Sequence, residues 1–240
     1  MEKPRAIFAL HLSRGQTCCY SCARRKSVGR KGADELPTMK KLPKLFSITP
    51  EQVLAAYQHG MFPMSRGRYG DVHWYISEPR AIIPLNTFKV RRSLQKAYQK
   101  NPYRIAFDTA FSQVIHACAR HTEVFPEEVW LSDEMIDLYV ELHRRGHAHS
   151  VEVWRGEELV GGLYGLAMQA AFFGESMFSR VQYASQFALL ALVERLRQQK
   201  FLLLDTQVIT PHLEQFGAIE LTHDEYMGIL LPALREERRF

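Results

Sequence analysis

No uninterrupted apolar run in the 240 residues reaches the roughly 18 that a membrane-spanning helix needs, so a helical membrane protein is excluded. Cysteine is scarce. Cys18, Cys19, Cys22 and Cys118 are the four, three of them crowded into one basic stretch, which is no disulfide framework for a chain of this size. Only Cys19 and Cys22 have ligand spacing and no second pair follows, so no metal is expected. The apolar patch after Met1-Glu2-Lys3-Pro4-Arg5 is too short for a secretory signal, and a cytoplasmic location is expected. No internal repeat is visible.

What is present is lopsided in charge. Residues 1–100 carry 19 Lys and Arg against 6 Asp and Glu, whereas residues 101–240 carry 12 against 20. A front half this basic points to a polyanion, with nucleic acid the usual candidate. Lys3 to Lys44 supply 11 of the 19 positive charges, so part of the excess belongs to a solubilising tail. Residues 1–44 lack sustained apolar periodicity and read as a basic, flexible extension.

Folded structure is expected from Leu45. Thr49, Pro50 and Gln52 spell a helix start, with Thr49 as N-cap and Gln52 closing a capping box, and Gly60 ends that helix. Val72–Ile76 and Arg80–Pro84 read as short strands, Phe88–Lys100 as a basic helix and Tyr103–Phe107 as a strand. Ala110–Arg120 and a Ser132-capped segment ending at Gly146 read as helices. From His147 the pattern changes to strands at Ser150–Trp154, Leu159–Leu166 and Ala170–Phe173, then an amphipathic helix over Ala184–Gln199. Phe201–Leu204 is a strand, Thr210–Phe216 a short helix, Ala218–Leu221 a strand and Asp224–Arg235 a closing helix. The expected fold class is α+β: a small helix-rich N-terminal domain over 45–135 and a mixed-sheet C-terminal domain over 136–240.

Two of these strands run into polar groups. Ala170–Phe173 is followed by Gly174-Glu175-Ser176-Met177-Phe178-Ser179-Arg180, and Phe201–Leu204 by Asp205-Thr206-Gln207. Polar clusters ending buried strands point to one shared site. Asp205 and Gln207 are two apart, so an extended strand sends both to one face. Each residue also has a bland reading, Asp205 as a helix cap and Glu175 as the ion-pair partner of Arg180.

The strand–strand–strand–helix–strand–helix–strand order of the back half resembles the GNAT acyltransferase fold. Members of that fold hold the CoA pyrophosphate on a glycine-containing turn at a helix N-terminus. The matching segment here, Ser179-Arg180-Val181-Gln182-Tyr183-Ala184-Ser185, has no glycine, which counts against acetyl-CoA as the donor.

A closer resemblance rests on seven motifs in consistent order. They are Gly60-Met61-Phe62-Pro63, Trp74-Tyr75 with Pro79-Arg80-Ala81, His147-Ala148-His149-Ser150-Val151-Glu152-Val153-Trp154 and Leu159-Val160-Gly161-Gly162-Leu163-Tyr164-Gly165. Gly174-Glu175-Ser176-Met177-Phe178-Ser179-Arg180, Ala184-Ser185 and Leu204-Asp205-Thr206-Gln207 complete the set. Together, over about residues 45–230, they resemble the bacterial leucyl/phenylalanyl-tRNA–protein transferase family.

That resemblance implies an enzyme that moves Leu or Phe from Leu-tRNA or Phe-tRNA onto the α-amino group of proteins beginning with Arg or Lys, tagging them for N-end rule degradation. It implies no cofactor, because the tRNA ester is already activated; no membrane partner and a monomeric state are expected. Aminolysis of an ester needs a neutral amine, an acceptor for its proton and donors for the oxyanion. By the resemblance, Gln207 contacts the attacking amine, Asp205 orients or polarises it, and Glu175 meets the acceptor's positive charge or its amine. The implied donor side-chain pocket is Leu163, Phe172, Met177, Leu189, Leu192, Leu196 and Leu204, residues that fit an ordinary core equally well. Arg92, Lys96 and Lys100, four apart, line one helix face suited to a phosphate backbone. Trp74, Tyr75 and Trp130 are candidates to stack on the terminal adenosine, with Ser179 and Arg180 near the tRNA end. Met64 stands where the family commonly has Trp, and Thr210 where some members have Asn.

Two other readings stay open at this point. One is another GNAT-fold acyltransferase that uses acyl-CoA, or aminoacyl-tRNA with a different acceptor such as a cell-wall precursor. The other is an RNA-binding protein without catalysis.

Overall fold

The computed structural model describes residues 10–12, 16–18, 38–41, 48–65, 67, 71–100, 102–119 and 130–240. Cys19 and Cys22 lie outside them. In chain order the elements are β1 (Leu10–Leu12), β2 (Gln16–Cys18), β3 (Thr38–Lys41), α1 (Pro50–Gln58), β4 (Phe62–Ser65), β5 (Val72–Glu78), β6 (Arg80–Ile82), α2 (Arg92–Gln99), β7 (Arg104–Phe107) and α3 (Phe111–Ala119). They continue as α4 (Asp133–Arg144), β8 (Ala148–Arg155), β9 (Glu158–Met168), β10 (Ala171–Ser179), α5 (Ala184–Gln198), β11 (Leu203–Gln207), α6 (Pro211–Glu214), β12 (Ile219–Leu221) and α7 (His223–Ala233).

The architecture is α+β around a mixed seven-stranded sheet in the order β12-β6-β11-β10-β9-β8-β7. β10 and β11 are parallel, and the remaining neighbours are antiparallel. One face of the sheet packs against α5 and Leu94 of α2. The other packs against α1, α3, α4 and α7. A sheet covered on both faces buries nearly every side chain of its central strands, and all nine residues of β10 are buried.

The front segment is not helix-rich. β3, β5 and β4 form their own antiparallel sheet, while β6 and β7 join the seven-stranded sheet, which therefore crosses the division read at 135/136. The stretch read as a flexible extension contains strands: β1 pairs with β2, and β3 pairs with β5 from Thr38 opposite Glu78 to Lys41 opposite Tyr75.

Local chemistry sets most helix starts. The Thr49–Gln52 capping box opens α1, and the Ser132 side chain accepts from Met135 N to open α4. α2 begins at Arg92 rather than Phe88 because Lys89 N donates to Phe216 O at 2.9 Å, holding that stretch against the neighbouring loop. The N-terminus of α5 sits directly on β9 where Gly161 leaves room. A Cβ there would stand 2.5 Å from that of Ala184.

Candidate active site

The site forms where the sheet opens. β10 and β11 pair at Ala171–Leu203, Phe172–Leu204 and Phe173–Asp205, and no further. β10 does not end at Phe173, as its apolar run implied; it continues along β9 to Ser179. β11 meanwhile keeps its other neighbour, β6. The Glu175 and Asp205 side chains lie at this divergence.

Glu175 owes its orientation to a β-bulge. The register between β10 and β9 shifts between Gly174 and Ser176, making Glu175 the extra residue. A bulge breaks the alternation of faces and re-aims one side chain. Glu175 is thereby turned onto the helical layer, where Tyr57 of α1 donates to Oε1 at 2.7 Å and Tyr139 of α4 donates to Oε2 at 3.0 Å. The two hydroxyls lie 2.9 Å apart, and the Tyr57 ring packs edge-on against Phe173. Burial pushes the Glu175 carboxyl up to about 7, against the pull of both tyrosine hydrogen bonds. Burial, with the Glu175 charge beside them, also holds both phenols well above their ordinary range, so they remain donors.

Asp205 is fully buried and fully occupied. Arg80 Nε donates to Oδ1 at 3.0 Å and Oδ2 at 3.2 Å, and Nη2 donates to Oδ2 at 2.6 Å. Tyr226 of α7 donates to Oδ2 at 2.6 Å, and the Gln207 backbone N–H to Oδ1 at 2.8 Å. A carboxylate offers about four lone-pair sites, so none is left for a substrate. Arg80 in turn donates from Nη1 to Gly60 O at 2.9 Å and lies between the Phe62 and Tyr226 rings.

Gln207 departs from the expected shared face. Its φ of 58° takes it out of extended geometry, and the β11–β6 register shifts between Asp205 and Gln207. The side chain is buried, and its Nε2 has no hydrogen-bond partner among the described residues. A buried amide with an unused donor can donate to an oxygen brought into the site.

The remaining sequence candidates fall into three groups. Leu163, Phe172, Met177, Leu189, Leu192, Leu196 and Leu204 all lie in one cluster between the sheet and α5. Trp74, Tyr75 and Trp130 belong to the opposite core, where burial leaves their rings packing against protein rather than open to stack on a nucleotide base. Arg92, Lys96, Lys100 and Arg180 are exposed. Arg180 donates to Leu159 O at 2.7 Å and lies over Phe178, whereas Glu175 bonds to tyrosines. Ser179 is committed to Val181 O and Ser185 N. Met64 is core, and Thr210 caps α6 through Leu213 N.

Sequence reasoning left Arg80, Tyr57, Tyr139 and Tyr226 without roles. Arg80 carried a signal: an arginine leading the apolar run Ala81-Ile82-Ile83 must find a buried carboxylate if the run is buried.

A mixed sheet opened between two strands, with a tyrosine-held carboxylate and a neutralised one at the opening and an unpartnered amide between strand and loop, is the layout of a group-transfer enzyme. The family model described as leucyl/phenylalanyl-tRNA protein transferase matches residues 82–231, and the model of that enzyme's N-terminal domain matches residues 46–78. The chain is 49% identical over 191 residues to the leucyl/phenylalanyl-tRNA–protein transferase of Akkermansia muciniphila, covering 79% of this chain and 98% of that relative. It is 48% identical over 190 residues to the enzyme of the same name from Chlorobaculum parvum, covering 79% and 97%. The chain belongs to the leucyl/phenylalanyl-tRNA–protein transferase family. Among solved structures, a functionally unknown conserved protein from Staphylococcus epidermidis aligns with a TM-score of 0.39 at 9% identity, covering 78% of this chain and 69% of that one. Likeness at that level carries no argument.

Proposed function

We propose that this protein moves Leu or Phe from aminoacyl-tRNA onto the α-amino group of proteins beginning with Arg or Lys, in the cytoplasm and as a monomer, marking them for N-end rule degradation. The reaction runs in a GNAT-like acyltransferase domain over 136–240, and residues 45–135, besides supplying Tyr57 and Arg80 to its site, contact the tRNA. The observation that carries the reading is Glu175, bulged out of β10 between two tyrosine hydroxyls beside the Arg80-held Asp205.

The amine nitrogen attacks the ester carbonyl carbon, an amide bond forms, and the bond to the ribose oxygen breaks. Glu175 receives the cationic amine and takes one proton from it, which is released to solvent, and a carboxyl titrating near neutrality suits that exchange; the second proton, shed from nitrogen as the amide forms, passes by way of Glu175 to the leaving ribose oxygen. Asp205, with no free lone pair, acts by fixing the backbone of Gln207 through its N–H and by holding Arg80. Gln207 contacts the amine and offers its unused Nε2 to the developing oxyanion. Leu163, Phe172, Met177, Leu189, Leu192, Leu196 and Leu204 form the donor side-chain site. Exposed Arg92, Lys96 and Lys100 meet the tRNA backbone, with Ser179 and Arg180 near its end.

The test mixes purified protein with labelled Leu-tRNA or Phe-tRNA and peptides beginning with Arg, Lys or Ala. Label entering the Arg and Lys peptides alone supports the proposal. Label moving only from an acyl-CoA, or equally to all three peptides, refutes it.

A further inference from the structure

On the α5 side of the sheet, four groups enclose the ring of Phe240. It stacks on Phe172 with centroids 5.2 Å apart and planes at 28°. The His149 imidazole lies 4.4 Å away, and Phe107 meets the ring edge-on at 6.0 Å. The Arg195 guanidinium stands 4.9 Å from the same ring and 4.5 Å from that of Phe107. His149 is itself tied to Asp108 at 2.8 Å. The Phe240 ring is thus gripped from β7, β8, β10 and α5 at once.

The Phe172 side chain has little other freedom. It is fully buried, and its ring edge lies over Gly165, where even a Cβ would come within 2.5 Å of it. The backbone of β9 blocks one direction, so the position of the ring is set from the Phe240 side. Phe172 shares its core with Leu163, Met177, Leu192 and Leu204. We propose that Phe240 is a positioning residue for donor selection: by pinning Phe172 it sets the depth of the apolar site that takes the donor's Leu or Phe side chain. This rests on the functional reading above, in which Phe172 lines that site. With Phe240 cut to a methyl group, Phe172 gains room to retreat and the site deepens. A Leu side chain then leaves a void that a Phe ring still fills.

The experiment measures kcat/KM for Leu-tRNA and Phe-tRNA with one Arg-initiated peptide, with thermal unfolding in parallel, for wild type, Phe240→Ala and Phe240→Leu. Phe240→Ala lowers the Leu-to-Phe ratio about tenfold, the low end of what a methylene-scale difference discriminates. Phe240→Leu, which keeps an apolar side chain and is the conservative variant should the alanine form not fold, moves the ratio the same way by about threefold. The peptide KM stays at its wild-type value. A ratio that does not move in a folded variant overturns the inference, whether both rates fall together or neither does, because a purely structural contact weakens both donors alike. Wild-type protein that transfers neither residue removes the functional reading and this inference together; wild-type transfer with an unmoved ratio in the variants removes the inference alone.

Discussion

Arg80 binds both carboxylate oxygens of Asp205 across 125 residues of chain, with nitrogen–oxygen separations of 2.6, 3.0 and 3.2 Å. Both side chains are withdrawn from water. Burial alone pulls the guanidinium towards losing its proton, and the Asp205 charge more than reverses that, so Arg80 keeps its charge. Since β6 and β11 are neighbours in the sheet, the same ion pair fastens the front of the chain to the strand that carries the site.

Losing one member of such a pair leaves the other charge buried without a partner. Asp205→Ala and Arg80→Ala are each expected to cost about 3–5 kcal/mol of folding stability, read from urea midpoints. Replacing both, as Arg80→Met with Asp205→Leu, recovers most of that loss while transfer stays absent. A double variant no more stable than either single one would show that the ion pair is not what the single changes disrupt.

Glu175 gives stability a pH dependence of known sign. Burial holds its carboxyl at about 7 in the folded protein, above the ordinary 4.5. Between those values the folded protein keeps a proton that the unfolded chain has released. Stability therefore falls as pH rises through that window, by about 3 kcal/mol, and stays lower above it. His212 acts in the opposite sense: burial lowers it from 6.5 to about 4, so its contribution is full above the first value and is lost as pH falls towards the second. Comparing wild type with Glu175→Gln isolates the glutamate. Between about pH 5 and about pH 8, the glutamine variant is expected to gain about 2–3 kcal/mol relative to wild type in urea unfolding. Parallel pH profiles would contradict this.

What could be read in advance follows from how local its causes are. The Thr49–Gln52 box, the Ser132 cap and the apolar face of α5 are short-range patterns, and each appears where the sequence put it. Glu175, Asp205 and Gln207 were legible as polar groups following apolar runs, although β10 and β11 continue through Glu175 and Asp205. The bulge that turns Glu175 onto Tyr57 and Tyr139 was not, because a register shift depends on the strand alongside. The partner of Arg80 was hidden for the same reason, and so was the retreat of Trp74, Tyr75 and Trp130 into the core. The front segment was misjudged as helix-rich in part because β4 is too short for alternation to declare it, whereas β5 and β6 were read as strands.

Arg92 and Lys96 stand exposed on α2 and Lys100 at its C-cap, while Leu94 packs inward. Contacts from this face to tRNA phosphates release counterions, so the logarithm of affinity falls linearly with the logarithm of salt. Changing any one of the three to Ala is expected to lower the magnitude of that slope by about 1 and to weaken all tRNAs alike. Filter binding across a salt series reads it, and an unchanged slope assigns the face to solvent.

Tyr57 and Tyr139 donate to the Glu175 carboxylate and thereby favour its ionised form. Removing either hydroxyl leaves burial less opposed, so Glu175 must hold its proton to higher pH. Tyr57→Phe is expected to move the acid limb of the kcat/KM profile upward by about one unit, the scale of one hydrogen bond to a charged group. Tyr139→Phe moves it in the same direction. Above the displaced limb the rate returns to near its wild-type plateau, because the glutamate is ionised again and the ring still packs on its neighbours. A plateau that drops while the limb stays in place assigns the tyrosines to packing, and it takes from Glu175 the part in proton transfer that its position between them supports.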